Sequence, residues 1–430
     1  MNMKLPTCIL RAVAAATTIL LTVQTGLAAD PTATNYSARQ CEGSLTPYPV
    51  SIKTVNIPDS LTIVYINHVG RHGARFPASG ASCFKLREAL LRADSISTIT
   101  PLGRRLLAIT NEVIAQSNGR WGALDSLGMA EQRAIATRMF ENYPQLFREG
   151  CLVNARSSYS PRAMMSMFSF VHQIDRMNNR VEFTTSTGRV NSKLLRPFDI
   201  DTDYLEFRKN NVWEPPYQEY FENNCPLTAI SRALGRDYPY GDSDNARDLA
   251  ITEYYVLAGL SAMSMPCDMN EFFTPAEYNA LWSCFNLRQY LQRTASTVSS
   301  VPADIAADLV LDLIQTTDNA IEGSNPASAD LRFGHAETLM PLLSLLRLPG
   351  CYYVTNYFDT VGLHWRDFDV VPMAANLQIA LFKAKKSGRY YVRFDVNEQP
   401  VKLPGASTSL YVPWGEARAY MMRCVPLYAQ

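Results

Sequence analysis

Beyond the N-terminus, apolar side chains first gather at residues 61–67, Leu-Thr-Ile-Val-Tyr-Ile-Asn, a β-branched and aromatic run that predicts a buried strand. A loop rich in Gly and Arg follows at once. Helical spacing then covers 83–94 and 101–116. A third helix is expected from about Leu127, where Asp125 or Ser126 can cap it and Met129, Ile135, Met139 and Phe140 recur on one face. Residues 151–155 read as a brief strand. Pro161 then opens an apolar helix carrying Met164, Met165, Phe168 and Val171, since proline suits a first helical turn. Between about 190 and 300 the pattern changes to Asn, Asp, Tyr, Trp and Pro with helical patches and few strand signals, which predicts a helical insertion or cap over 190–299. Alternation returns at 377–383 and 389–396, two strands joined by the Lys385-Lys386-Ser387-Gly388 turn. Mixed strands and helices on both sides of the insertion predict an α/β protein whose core is discontinuous, 41–185 and 300–430.

Composition adds limits. The chain has 430 residues, 47% apolar and 19% charged, with a formal net charge of zero. Those proportions suit a packed globular protein and exclude a disordered one. With no net field to gather nucleic acid, no nucleic-acid partner is expected, and a polyanionic ligand has to be held by a local basic pocket. Lys4 and Arg11 precede an apolar run from Ala12 to Val23, with small residues at Gly26 and Ala28. Residues 1–28 therefore read as a secretory signal. The apolar run is shorter than the roughly 20 residues of a membrane span, so no membrane anchor is expected. Beyond Cys8, eight cysteines remain (Cys41, Cys83, Cys151, Cys225, Cys267, Cys284, Cys351 and Cys424), and in an exported chain their even number predicts disulfides. Asn35-Tyr36-Ser37 is a glycosylation sequon. The C-terminal Leu-Tyr-Ala-Gln carries neither a retention tetrapeptide nor an apolar tail. The expectation is a soluble protein of the secretory lumen or the extracellular space; no sequence feature specifies an oligomeric state.

Three segments carry candidate chemistry. Arg71-His72-Gly73-Ala74-Arg75-Phe76-Pro77 directly follows the 61–67 strand, and ligands of α/β sheets gather at the carboxyl ends of strands. An imidazole nitrogen can attack phosphorus and split one displacement into two through a covalent intermediate. Arg71 and Arg75 flank His72 with forked donors that match phosphate oxygens. In isolation Arg-His-Gly would be an incidental basic loop; the second arginine, the proline and the preceding strand argue otherwise. Arg156 to Arg162 again sets arginine between a strand and a helix start, where Arg162 can meet an anion already favoured by the helix N-terminus. Phe333-Gly334-His335-Ala336-Glu337-Thr338 leads into an apolar helix at 339–346. There His335 can donate to phosphoryl oxygens, and Glu337, with a pKa raised by desolvation beside an anion, can protonate a leaving alkoxide. No Cys/His cluster suggests a metal site. His172 reads as a packed residue, and His364 and His68 receive no role.

Taken together, the three segments resemble the histidine acid phosphatase branch of the histidine phosphatase superfamily. The resemblance implies a phosphoglycerate-mutase-like α/β core with a largely helical cap, and catalysis without metal or cofactor. It also implies His72 as nucleophile, with Arg71, Arg75 and Arg162 holding phosphate and His335 assisting. Where ordinary acid phosphatases and most fungal phytases have His-Asp, this chain has His335-Ala336-Glu337. That pattern is similar to the multiple inositol polyphosphate phosphatase subgroup, in which the glutamate is the proton donor. Leu127-Gly128-Met129-Ala130-Glu131-Gln132, the 371–377 stretch and Asn397-Glu398-Gln399-Pro400 resemble further family segments, so the likeness spans about 60–180 and 330–405 and is weak in the cap. The implied ligand is a small polyanionic phosphomonoester: phytate, lower inositol polyphosphates or 2,3-bisphosphoglycerate. Lys85, Arg87, Lys193 and Arg196 are the candidates for its outer phosphates. A broad acid phosphatase is the nearest alternative; export and disulfides argue against a cytosolic mutase. An inactive phosphate-binding surface protein would have no chemical need for His72, Arg75, Arg162, His335 and Glu337 together. An acidic-to-neutral optimum is expected, because Glu337 has to be protonated when the leaving oxygen departs.

Overall fold

The apolar run at 61–67 grows into an eleven-residue central strand, β1 (Leu61–Arg71). Its second half holds Asn67, His68 and Arg71, yet all three are buried, which is why the hydrophobic pattern alone ends too soon. The computed structural model describes residues 35–52, 56–265, 267–405 and 409–429; the 1–28 signal expectation lies outside them. The other strands are β2 (Leu152–Ser157), β3 (Glu182–Ser186), β4 (Ala327–Gly334), β5 (Asn376–Ala384), β6 (Tyr390–Val396), β7 (Gln399–Val401) and β8 (Val412–Pro413). They form one sheet in the order β3-β2-β4-β1-β5-β6-β7, with β8 paired to β6. Pairing is parallel from β3 through β1 and antiparallel from β1 outward through β5 and β6. An α/β core is thus what the fold is.

Helices of seven residues or more are α1 (Ala81–Ser95), α2 (Pro101–Ser117), α3 (Ser126–Asn142), α4 (Pro161–Met177), α5 (Thr202–Lys209), α6 (Glu214–Asn224), α7 (Thr228–Leu234), α8 (Ser243–Ala258), α9 (Pro275–Arg293), α10 (Ala307–Glu322), α11 (Ala336–Leu345) and α12 (Trp414–Cys424). Asp125, one of the two expected caps, accepts from Leu127 N at the start of α3. The sheet is covered on both faces. Ala380 and Phe382 of β5 pack with α3 and α4, whereas Leu377, Ile379 and Leu381 pack with α10, α11 and α12; the alternation follows from the two-residue period of a strand. A second apolar cluster joins α1 and α2 to α7, α8 and the first half of α9. No strand falls within the described part of 190–299. Helix α9 runs through both clusters: Leu281 and Trp282 belong to the helical one, Leu287 and Leu291 to the sheet.

Strand β4 escaped the pattern because it reads Ala-Ser-Ala-Asp-Leu-Arg-Phe-Gly. Its charges are internal. Arg332 is completely buried and pairs with Asp312 of α10 at 2.5 Å and with Asn67 of β1 at 2.7 Å, while Asp330 accepts from the Tyr65 hydroxyl at 2.7 Å. A buried charge is tolerated only when paired, and losing one partner is costly. Asp312→Ala is therefore expected to destabilise the fold by about 3 kcal/mol, read as a lower denaturant midpoint at unchanged slope.

The disulfides expected from the cysteine count are absent: all eight described cysteines are free thiols. Cys41, Cys83, Cys225 and Cys284 are instead packed in the helical cluster, where cysteine acts as a small apolar residue. Burial raises the pKa of Cys83 to about 11 and of Cys225 to about 12. Asn35 of the sequon is exposed. No helix among the described residues is long and apolar enough to cross a membrane.

Candidate active site

Three adjacent parallel strands end together. Arg71 at the end of β1 pairs with Gly334 at the end of β4, and Ser157 at the end of β2 pairs with Phe333. The chain segments that follow are the three motifs, so residues far apart in sequence meet at one edge of the sheet, where α/β folds bind ligands. Backbone bonds tie the exits: His72 N donates to Gly334 O at 3.1 Å and Ser158 N to Phe333 O at 3.1 Å.

The loop that carries His72 is held from behind by α3. A Cβ on Gly73 would lie 2.4 Å from the carbonyl oxygen of Gly128, and one on Gly128 would lie 2.2 Å from that of Ala74. Only two glycines allow this approach. Glu131 accepts from the amides of Ala74 and Tyr48, both at 2.7 Å, and Gln132 Nε2 donates to Arg71 O at 2.9 Å. The Leu-Gly-Met-Ala-Glu-Gln stretch is thus the cradle of the His72 loop.

His72 is buried, and its Nδ1 lies 2.9 Å from its neighbour's carbonyl, Gly73 O. A carbonyl can only accept, so Nδ1 carries the proton and Nε2 keeps its lone pair. Burial, then the positive charges of Arg162, Arg71 and Arg75, push the His72 pKa well below the usual range, leaving a neutral ring. His335 is set by the same logic. Arg196 Nη1 donates to its Nε2 at 2.8 Å, with Ser158 Oγ 2.9 Å from the same nitrogen. A guanidinium can only donate, so the His335 proton sits on Nδ1. The His335 pKa too is pushed well down, by burial first and then by Arg162. The two imidazole centroids are 5.5 Å apart.

Around them stand the arginines. Arg71 Nη1 donates to Ser44 O at 2.6 Å and to Val371 O at 2.5 Å, and Arg75 Nη1 donates to Phe76 O at 2.8 Å. Arg162 Nη2 lies 3.5 Å from His335 Nδ1. The Nε donors of Arg71, Arg75 and Arg162 find no protein partner. Burial and their mutual repulsion lower the pKa of both Arg71 and Arg162 to about 10, a strain an anion would relieve.

These groups open into a cavity of about 580 Å³. Its lining holds seven basic side chains, Arg71, Arg75, Lys85, Arg162, Arg208, Arg288 and Arg293, against two carboxylates, Asp248 and Glu337. Lys85 is paired with Asp248. Two of the basic residues suggested for the outer pocket stand elsewhere: Lys193 is exposed and pairs with Asp308 at 2.9 Å, and Arg87 is half-buried on α1 away from the cavity. Arg196 does not line the cavity; it sits behind His335, held by Asp199 at 2.6 Å and stacked on Tyr159 and Phe198. Arg208 of α5 and Arg288 and Arg293 of α9 were not foreseen. The spacing of Arg288, Gln289, Gln292 and Arg293 sets all four on one helix face, which is the signal that could have found them.

The ionisation of Glu337 is set by its neighbours. Burial alone would raise its pKa, but Arg293, at 3.5 Å, with His335 and Arg71 outweighs that and holds it down to about 2. Here the surrounding cations outweigh burial and decide the sign.

Comparison with known proteins agrees with this geometry. A profile of the histidine phosphatase superfamily (branch 2) matches residues 62–172 and 201–397. Multiple inositol polyphosphate phosphatase 1 of Homo sapiens is 26% identical over 368 residues, which cover 77% of this chain and 74% of that protein. The Gallus gallus protein of the same name is 24% identical over 373 residues, 83% of this chain and 80% of its own. The crystal structure of Bifidobacterium longum multiple inositol polyphosphate phosphatase in complex with inositol hexasulfate superposes with a TM-score of 0.76 at 18% identity, covering 90% of this chain and 99% of the other. The chain belongs to branch 2 of the histidine phosphatase superfamily.

Proposed function

We propose that the protein hydrolyses inositol polyphosphates, phytate among them, through a phosphohistidine at His72. The observation that carries this reading is the cavity itself: a neutral imidazole with a free Nε2 opens into a lining of seven basic side chains. One phosphate cannot engage that many cations; a ring bearing several can. The names of the related proteins and the inositol hexasulfate bound by the Bifidobacterium longum enzyme support the same substrate class. In the first step Nε2 of His72 forms a bond to phosphorus while the ester P–O bond breaks. Its electron pair goes to the leaving oxygen, which takes a proton from Glu337. In the second, Glu337 as carboxylate removes a proton from water, the hydroxide bonds to phosphorus, and the N–P pair returns to Nε2. Arg71, Arg75, Arg162 and His335 stabilise the equatorial oxygens throughout. We read 190–299 as a cap, since it supplies Arg208, Arg288 and Arg293, and the 1–28 signal pattern as export to the secretory lumen or beyond.

The test is phosphate release from phytate and from glycerol 2-phosphate in excess EDTA. Phytate is expected to be favoured in kcat/KM by about 100-fold, equivalent to one or two charge-assisted contacts. Equal rates would leave a broad acid phosphatase, abolition by EDTA would remove the metal-free route, and silence on both esters would leave a binding protein.

A further inference from the structure

Arg293 is the last residue of α9, at the end of that helix that packs in the sheet cluster. Its Nη2 lies 3.5 Å from Glu337 Oε1, its Nη1 donates to the Tyr204 hydroxyl, and its Nε has no partner. For a guanidinium and a carboxylate, 3.5 Å is a loose contact, well beyond the usual 2.7–2.9 Å of a charge-assisted bond. Both groups line the cavity described above, so an anion entering it competes directly with Glu337 for this guanidinium. Glu337 also faces Arg71 from the end of β1, Arg162 from the first turn of α4 and His335 from its own loop, with Lys85, Asp248, Arg208 and Arg288 elsewhere on the cavity wall. Arg71 and Arg162 stand beside His72 and are taken up by the phosphate being transferred. Arg293 comes instead from the C-terminal end of α9, in contact with Glu337 and Tyr204.

We infer that Arg293 is a positioning residue that ties the acid function of Glu337 to the number of phosphates on the substrate. In the free enzyme it keeps Glu337 as a carboxylate. A second phosphate of the bound substrate, one that is not transferred, takes over the guanidinium, and Glu337 then gains a proton from solvent, to which its side chain is 34% exposed. That proton goes to the ester oxygen as the P–O bond breaks and its electron pair moves to oxygen, while His72 Nε2 bonds to phosphorus. A monophosphate fills the place at His72, leaves Arg293 on Glu337, and its alkoxide has to depart unprotonated. This rests on the reading of Glu337 as proton donor. The low pKa of Glu337 in the free enzyme agrees with it.

The experiment is the pH dependence of kcat, which reports the bound state, for phytate and for an inositol monophosphate, two substrates with the same kind of leaving oxygen. In the wild type the alkaline limb for phytate is expected about 1 pH unit or more above that for the monophosphate, the size of shift a close opposite charge produces. Arg293→Gln should raise the monophosphate limb until the two coincide, and Arg293→Lys, which keeps the charge, should preserve most of the gap. Coincident limbs in the wild type, or a gap unchanged in Arg293→Gln, would overturn the inference. Glu337→Gln separates its failure from that of the donor reading. If that variant keeps both limbs, the limbs belong to another group and both readings fall. If it removes them while Arg293→Gln keeps the gap, only the inference falls.

Discussion

His72→Ala is expected to lower kcat for phytate by roughly four orders of magnitude or more, since removing a nucleophile abolishes the covalent route and leaves only binding and electrostatics. The ring is held by a single bond from Nδ1 to its neighbour's carbonyl, and no second imidazole can replace it: His335 has its Nε2 occupied by Arg196. Single-turnover phosphate release is the measurement, with protein quenched in alkaline denaturant and assayed for base-stable, acid-labile phosphohistidine in the wild type and its loss in the variant. Release at near-wild-type rate from the variant would remove His72 as nucleophile. The pH behaviour gives a second reading of the same residue. Because the folded pKa of His72 lies well below its ordinary value, the ring stays neutral as pH falls through the usual histidine range near 6.5. kcat/KM, which reports the free enzyme, should therefore show no acid limb there. An acid limb at an ordinary histidine pKa that disappears with His72 would contradict the buried, cation-ringed environment.

Glu337→Gln is expected to separate substrates by leaving group. Loss of a general acid costs about 100- to 10,000-fold when the departing oxygen is a basic alkoxide, so turnover of phytate should fall by that amount. p-Nitrophenyl phosphate, whose phenolate leaves as a stable anion, should lose far less in the step that forms the phosphohistidine. Burst kinetics with that ester would show rapid formation followed by slowed hydrolysis, because the same carboxylate serves as base in the second step. Equal losses on both esters in the first step would assign Glu337 to phosphate positioning instead.

The site was legible in sequence wherever its chemistry is local. His72 with Arg71 and Arg75, Arg162, and His335 with Glu337 each lie where a strand gives way to a loop or helix, so residue type and context point the same way. The first six regular elements after the N-terminus, from β1 to α4, were visible for the same reason, since each has its own period or cap. What failed depended on distant partners. Strand β4 hides behind Asp330 and Arg332, whose charges are internal only because Asp312, Asn67 and Tyr65 meet them from other elements. Among the basic residues of 190–299, sequence alone does not say that Lys193 would be bound to Asp308 on the surface while Arg208, Arg288 and Arg293 would face the cavity. The ionisation of Glu337 turned on Arg293, brought to it by a helix that begins in another cluster. The cysteines were expected to pair from their number, but pairing depends on the distance between positions that sequence spacing does not set.

The place of β1 in the sheet has a consequence for how the chain is made. This strand is the centre of the core, yet both of its neighbours, β4 and β5, come from the last quarter of the chain. During vectorial synthesis the strand that leads into His72 emerges early, and neither of its partner strands exists until most of the polypeptide has followed. Contacts of such long sequence separation form slowly, because a large loop has to close before any of them is rewarded. An apolar strand with open edges is prone to join another chain in the interval. The central pairing of the core therefore cannot be completed until β5 has been made. The ligand edge of the sheet and the strand beneath it are thus completed late, once β4 and β5 are available.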